Sequence, residues 1–144
     1  MDEFMEAALE EARRGLAEGG VPIGAVLVKD GRIVGRGRNR RVQEGASVLH
    51  AEIDCLHSAG RVADYRGSTL YTTLMPCPMC TGAVVQMGIA RVVAGESRTL
   101  AGAREIMEAR GVEVLDLQLD QCSKMMREFI EKNGLLWAEE VGEI

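Results

Sequence analysis

Three side chains that must meet at one point constrain this fold most: His50, Cys77 and Cys80. The histidine sits in His50-Ala51-Glu52, and the cysteines in Pro76-Cys77-Pro78-Met79-Cys80. One histidine and two cysteines make three zinc ligands. They leave the fourth tetrahedral position to water, which distinguishes a catalytic zinc from a structural one. Pro78 suits the first turn of a helix. Residues three apart share a helix face, so Cys77 and Cys80 can hold a single ion. His50 stands at the opening of another helix, so the chain must bring two helix N-termini together. There the positive end of each dipole and the free amides favour thiolates. Glu52 places a carboxylate beside the metal that need not bind it.

The rest of the chain reads as alternating helices and strands. Residues 3–18 carry Phe4, Met5, Ala8, Leu9, Ala12 and Leu16 at helical spacing, closed by Gly19-Gly20. Residues 23–28 form an apolar run of strand length, and Asp30-Gly31 turns it into a second strand over 32–38. A loop over 39–48 leads to a helix from His50 to about His57. Strands are predicted over 69–74, 91–94 and 112–117, and helices over 78–87 and 103–110. Asp120 is expected to cap a last long helix through Lys132 that Asn133-Gly134 ends, followed by a short tail over 135–144. This order predicts an α/β fold, with one mixed sheet covered on both faces by helices.

Bulk properties narrow the classes. A chain of 144 residues is most simply one domain with a real core. Aromatic residues are only 3%, so Leu, Val, Ile and eight Met must fill the interior. No apolar run approaches the ~20 residues of a membrane span. Met1-Asp2-Glu3 lacks the basic-then-apolar form of a signal peptide. Four cysteines, two of them in the metal motif, fit a reducing cytoplasm better than a disulfide framework. A net charge of −5 gives no help in binding a phosphate backbone.

Each motif also has a blander meaning. Cys77 and Cys80 alone would read as a redox pair or half of a structural zinc site. His57 could complete a Cys2His2 site only from roughly 10 Å along the helix, too far for a ~2 Å ligand shell. It is expected at a surface or interface. Cys55 and Cys122 read as small buried hydrophobes. Glu52 gains its meaning from its company.

H-x-E with P-C-x-x-C is the signature of zinc deaminases acting on nucleobases. The chain resembles the cytidine-deaminase superfamily, and within it the fungal-type cytosine deaminases. The resemblance runs from Glu18-Gly-Gly-Val-Pro-Ile-Gly24 to Trp137-Ala-Glu-Glu-Val-Gly-Glu143. It includes Gly35-Arg-Gly-Arg-Asn39, Leu49-His-Ala-Glu52, Leu70-Tyr-Thr-Thr-Leu74 and Cys80-Thr-Gly-Ala83. It implies a three-layer α-β-α fold with a five-stranded mixed sheet, a homodimer, and a tail over 135–144 that acts as a lid on the site. It also implies His50, Cys77 and Cys80 as zinc ligands and Glu52 as proton shuttle. Asn39 would hydrogen-bond the base edge, since an amide carries both donor and acceptor. From the residues alone Asn39 reads as a strand-end turn residue. Leu74 and Trp137 match apolar pocket walls, and Glu140 matches an acidic residue near the leaving amine.

The implied reaction is hydrolytic deamination of a free amino-heterocyclic base, cytosine first. Zinc lowers the pKa of bound water toward ~7, so hydroxide is available. Glu52 protonates the ring nitrogen and then carries a proton to the amine, which leaves as ammonia. Three departures bear on the substrate. Glu140 replaces the usual Asp, Leu100 stands where the fungal-type enzymes place a phenylalanine over the base, and Met75 precedes Pro76 in place of Ser or Glu. Isocytosine, an aminotriazine, creatinine and purine bases such as guanine therefore stay open. A tRNA adenosine deaminase shares the metal motif, and Arg32, Arg36, Arg38, Arg40 and Arg41 form a basic stretch. The net charge and the acidic tail, with Glu139, Glu140 and Glu143, weigh against nucleic acid. A zinc module without activity would have no use for Glu52.

Overall fold

In a computed structural model, which describes residues 1–143, the strands form one five-stranded sheet. The last residue of the expected tail, Ile144, lies outside the described residues. The elements run α1 (Glu3–Ala17), β1 (Gly24–Lys29), β2 (Arg32–Arg38), α2 (Arg41–Glu44), α3 (Ala51–Ala59), β3 (Thr69–Thr72) and α4 (Pro78–Met87). They continue with β4 (Arg91–Ala94), α5 (Arg104–Ala109), β5 (Glu113–Asp116), α6 (Asp120–Lys132) and α7 (Gly134–Glu140). The strand order is β2-β1-β3-β4-β5. β1 is antiparallel to both β2 and β3, whereas β3, β4 and β5 are parallel. The mixed sheet expected from the alternation of elements is present.

Side chains alternate across the sheet, as a two-residue period requires. Val26, Val28, Tyr71 and Val93 face a cluster with Met5, Ala8 and Leu9 of α1 and Cys122 of α6. Ala25, Leu27, Leu70, Val92 and Val114 face the other way, against Ala51 and Cys55 of α3, Val84 of α4 and Met107 of α5. Helices thus cover both faces. The contact between β2 and α3 is close enough to require glycine. A Cβ on Gly37 would lie 2.6 Å from the carbonyl oxygen of Ala51 and collide with the backbone nitrogen of Cys55. This approach fixes α3, and with it His50 and Glu52, against the sheet.

Two short helices and one cap differ from expectation. The loop after β2 contains α2, and the tail forms α7. Neither buries a residue fully, but Leu136 and Trp137 pack on the larger core cluster. α7 therefore depends on tertiary packing more than on its own seven residues. Asp120 is the first residue of α6 and makes no cap bond, because its carboxylate binds Arg98 at 2.8 Å. Asp2 does cap α1, accepting the Phe4 N–H at 2.7 Å. Among the described residues, no helix is long and apolar enough to cross a membrane.

Candidate active site

Both metal-ligand groups stand at helix N-termini, as their spacing implied. His50 is the N-cap of α3 and Cys77 that of α4, each in extended conformation. Pro78 opens α4 and Cys80 falls in its first turn. α4 follows β3, and α3 is seated on β2, so the two helix starts come from different parts of the same sheet. His50 Nδ1 lies 3.4 Å from Cys77 Sγ and 3.7 Å from Cys80 Sγ. Donor atoms around a tetrahedral zinc, at about 2.0 Å for nitrogen and 2.3 Å for sulfur, stand about 3.5–3.8 Å apart. The three side chains therefore fit zinc as they are placed. His57 is exposed on the outside of α3, away from this cluster. Cys55 and Cys122 are buried.

The other face of the histidine is also held. His50 Nε2 lies 3.0 Å from Glu140 Oε2, and the Glu140 side chain is only 4% exposed. Asn39 Nδ2 donates to the same oxygen at 2.8 Å. The second carboxylate oxygen, Oε1, is buried with no partner among the described residues. A carboxylate behind a metal-binding imidazole fixes its tautomer and raises its basicity.

The protein groups polarise one another strongly. Burial works to lower the His50 pKa, but hydrogen bonds to Cys77 and Glu140 outweigh it and raise it to about 10. A hydrogen bond from Cys80, aided by His50, brings Cys77 down to about 4 against the effect of burial. The proton is left on Cys80, whose pKa is raised by that same bond and by burial. Burial, and then the Cys77 charge, raises Glu52 to about 7. A carboxyl poised near neutrality suits a group that must both take and give a proton.

A cavity of about 490 Å³ opens beside these groups. His50, Glu52, Cys77 and Glu140 form its polar end, and Leu74, Met75, Leu100 and Trp137 are among its apolar walls. Of the residues singled out from the sequence, Leu74, Leu100, Trp137, Glu140 and Glu52 all meet here. Asn39 does not line the cavity. It is fully buried behind Glu140, with its Oδ1 accepting the Arg41 N–H at 3.0 Å. Ile23, Arg41 and Val48 also line the cavity. Their sequence carries no signal of this, because Ile23 precedes β1, Arg41 opens the short α2 and Val48 lies between α2 and α3.

The basic stretch is largely spent within the fold. Arg36 and Arg38 reach Glu11 at 3.1 and 2.9 Å, Arg38 also binds Glu18 at 2.9 Å, and Arg40 pairs with Asp54 at 2.9 Å.

A sequence profile described as the cytidine and deoxycytidylate deaminase zinc-binding region matches residues 1–96. The chain belongs to the cytidine-deaminase superfamily. Among the similar proteins is a cytosine deaminase of Candida albicans, 39% identical over 142 residues, which span 96% of this chain and 95% of that one. A tRNA-specific adenosine deaminase of Streptococcus pyogenes is 38% identical over 108 residues, covering 71% of this chain and 66% of its own length. A solved guanine deaminase from Nitrosomonas europaea superposes with a TM-score of 0.77 at 30% identity, over 88% of this chain and 82% of that one. This cytidine-deaminase-like protein is thus a zinc-dependent hydrolase that removes amino groups, with a His/Cys/Cys site for the ion.

Proposed function

We propose that this deaminase acts on a free amino-heterocyclic base, cytosine first, releasing ammonia and leaving a ring carbonyl. The observation that carries this reading is the roof of the cavity. α7 lies across it through Trp137, Glu139 and Glu140, and Glu140 is hydrogen-bonded inward to His50 and Asn39. A polynucleotide would have to displace this helix, whereas a single base fits beneath it. The similarity to the Candida cytosine deaminase spans 96% of this chain, and the ion pairs within the basic stretch leave few free cations for a phosphate backbone.

Zinc, when bound by His50, Cys77 and Cys80, acidifies water so that hydroxide is available near neutral pH. The chain's own groups do the rest. Glu52, buried at the cavity floor, takes a proton from the attacking water and gives it to the ring nitrogen. It then takes the hydroxyl proton of the adduct and passes it to the amine, which leaves as ammonia as the ring carbonyl forms. The unpaired Oε1 of Glu140 is an acceptor for that amine. Asn39 contributes from behind, holding Glu140 in place through its amide. Leu74, Leu100 and Trp137 sandwich the ring and exclude water.

The tail over 135–144 acts as a lid that must open for product release. The protein works as a homodimer, for which the shallow apolar depression of Ile53, Leu56, Val62, Tyr65, Ala83 and Met87, on α3, α4 and the loop between α3 and β3, is the contact face. A cytoplasmic role in pyrimidine salvage suits buried, unbridged cysteines.

A second reading has a specific observation in its favour. The cavity is large for a pyrimidine, and Leu100 puts no ring over the base, so a purine such as guanine is the next candidate. Ammonia release from zinc-loaded protein against cytosine, cytidine, isocytosine, guanine, adenine, creatinine and an adenosine-34 tRNA tests both readings. Turnover of cytosine or another free base is expected. Activity on the tRNA alone would overturn the proposal.

A further inference from the structure

The loop from β4 to α5 carries Leu100 into the cavity, and one buried residue governs where it lies. Glu96 is wholly buried. Its Oε1 accepts the Thr99 N–H at 2.8 Å, one residue before Leu100. Its backbone carbonyl accepts the Met75 N–H at 2.9 Å, and Met75 is another cavity wall. A single residue thus ties two walls of the pocket, the side chain holding one and the main chain the other. Its remaining oxygen, Oε2, is buried without a partner among the described residues.

Burying a carboxylate with one oxygen unpaired costs folding free energy that an apolar residue of similar size would not cost. Packing alone therefore gives no reason for a glutamate here. The surrounding contacts show what it secures. Ser97 Oγ donates to Asp116, and Arg98 binds Asp120 at 2.8 Å and Ser123 at 3.2 Å, so the start of the loop is fixed to β5 and α6. At the far end Gly102 has φ +70°, and a Cβ there would lie 2.8 Å from the Met75 side chain and collide with the carbonyl of Pro76. Between these two anchors, among the described residues, only the Glu96–Thr99 bond is a side-chain tie to the stretch that presents Leu100.

We propose that Glu96 is a positioning residue for substrate selection, setting the width of the base pocket by holding Leu100 through the Thr99 amide. It touches no substrate and acts through Leu100. The inference rests on the reading in which Leu100 faces a base.

The test compares Glu96→Ala, Glu96→Gln, Leu100→Ala and the Glu96→Ala/Leu100→Ala double variant, all zinc-loaded. Two readouts are used: kcat and KM for the best base of the panel, and amide exchange at Thr99 and Leu100 by NMR. Glu96→Ala should raise KM about tenfold, the scale of one lost hydrogen bond to a charged group, with kcat little changed. It should also speed exchange at Thr99. Glu96→Gln, which keeps an acceptor for the Thr99 N–H, should restore both. In the Leu100→Ala background, Glu96→Ala should change KM no further. If Glu96→Ala fails to fold, Thr99→Pro removes the same bond from the donor side and should give the same KM rise. Additive effects of Glu96→Ala and Leu100→Ala on KM, or unchanged exchange at Thr99, would overturn the proposal. If the unaltered protein turns over no free base, the functional reading fails, and exchange at Thr99 and Leu100 still decides whether Glu96 holds the loop.

Discussion

Glu140 and His50, far apart in sequence, meet with a carboxylate oxygen 3.0 Å from the imidazole Nε2. The contact joins the last helix to the metal site. It leaves Nδ1 free to face the two cysteines and assigns the proton to Nε2. Glu140→Gln keeps the shape and removes the charge, so the imidazole becomes less basic and less firmly oriented. Zinc affinity or activity should fall about 10- to 100-fold, the usual effect of losing such a partner. Competition with a chelator, measured beside kcat, checks this. Unchanged zinc affinity together with unchanged kcat would show that the contact is incidental.

Glu52 separates catalysis from metal binding. It is buried in the first turn of α3, close to the ligands without being one of them. Glu52→Gln should leave zinc content, measured by elemental analysis, and the melting temperature near those of the unaltered protein. Turnover should fall by at least about 10²-fold, the scale of general acid–base catalysis. Residual activity close to that of the unaltered protein would mean that another group moves the proton.

Removing the metal should abolish ammonia release, and zinc should restore it. Chelation must leave the three ligands close together, with Cys77 as thiolate beside a protonated His50. That pair is itself attractive, so the apo protein should stay folded and reload readily. Circular dichroism before and after chelation, followed by zinc titration, tests this. Loss of the fold on chelation would make the ion structural as well as catalytic.

Much of this architecture was legible because the strong signals were local. Apolar spacing marked α1, a continuous apolar run marked β1, Asp30-Gly31 marked the turn into β2, and Pro78 marked the start of α4. The metal ligands were legible because their residue types have few other joint uses. What escaped depended on partners distant in the chain. α7 follows an Asn-Gly stop and draws its order from Leu136 and Trp137 packing on the core. Asp120 looked like a cap, but Arg98 takes its carboxylate. The basic stretch looked free because its partners Glu11, Glu18 and Asp54 lie on other elements. Asn39 was expected at the base edge, and its position behind Glu140 depends on where α7 lies.

The seat of α3 on the sheet gives a prediction about stability. Gly37 faces the backbone of Ala51 and Cys55, and backbone cannot rotate aside as a side chain would. Gly37→Ala should therefore destabilise the protein by at least about 2 kcal/mol, in the range of an overpacked core. The same methyl group would push the start of α3, where His50 and Glu52 lie, so turnover should fall even where the protein remains folded. Urea unfolding beside kcat/KM at a temperature well below the melting point separates the two effects. Gly82 of α4 provides the control, because a Cβ there meets nothing within 4 Å. In a helix interior Gly→Ala is favourable by roughly 1 kcal/mol, so Gly82→Ala should leave stability unchanged or raised. If Gly37→Ala behaves like Gly82→Ala, the close contact does not position the site.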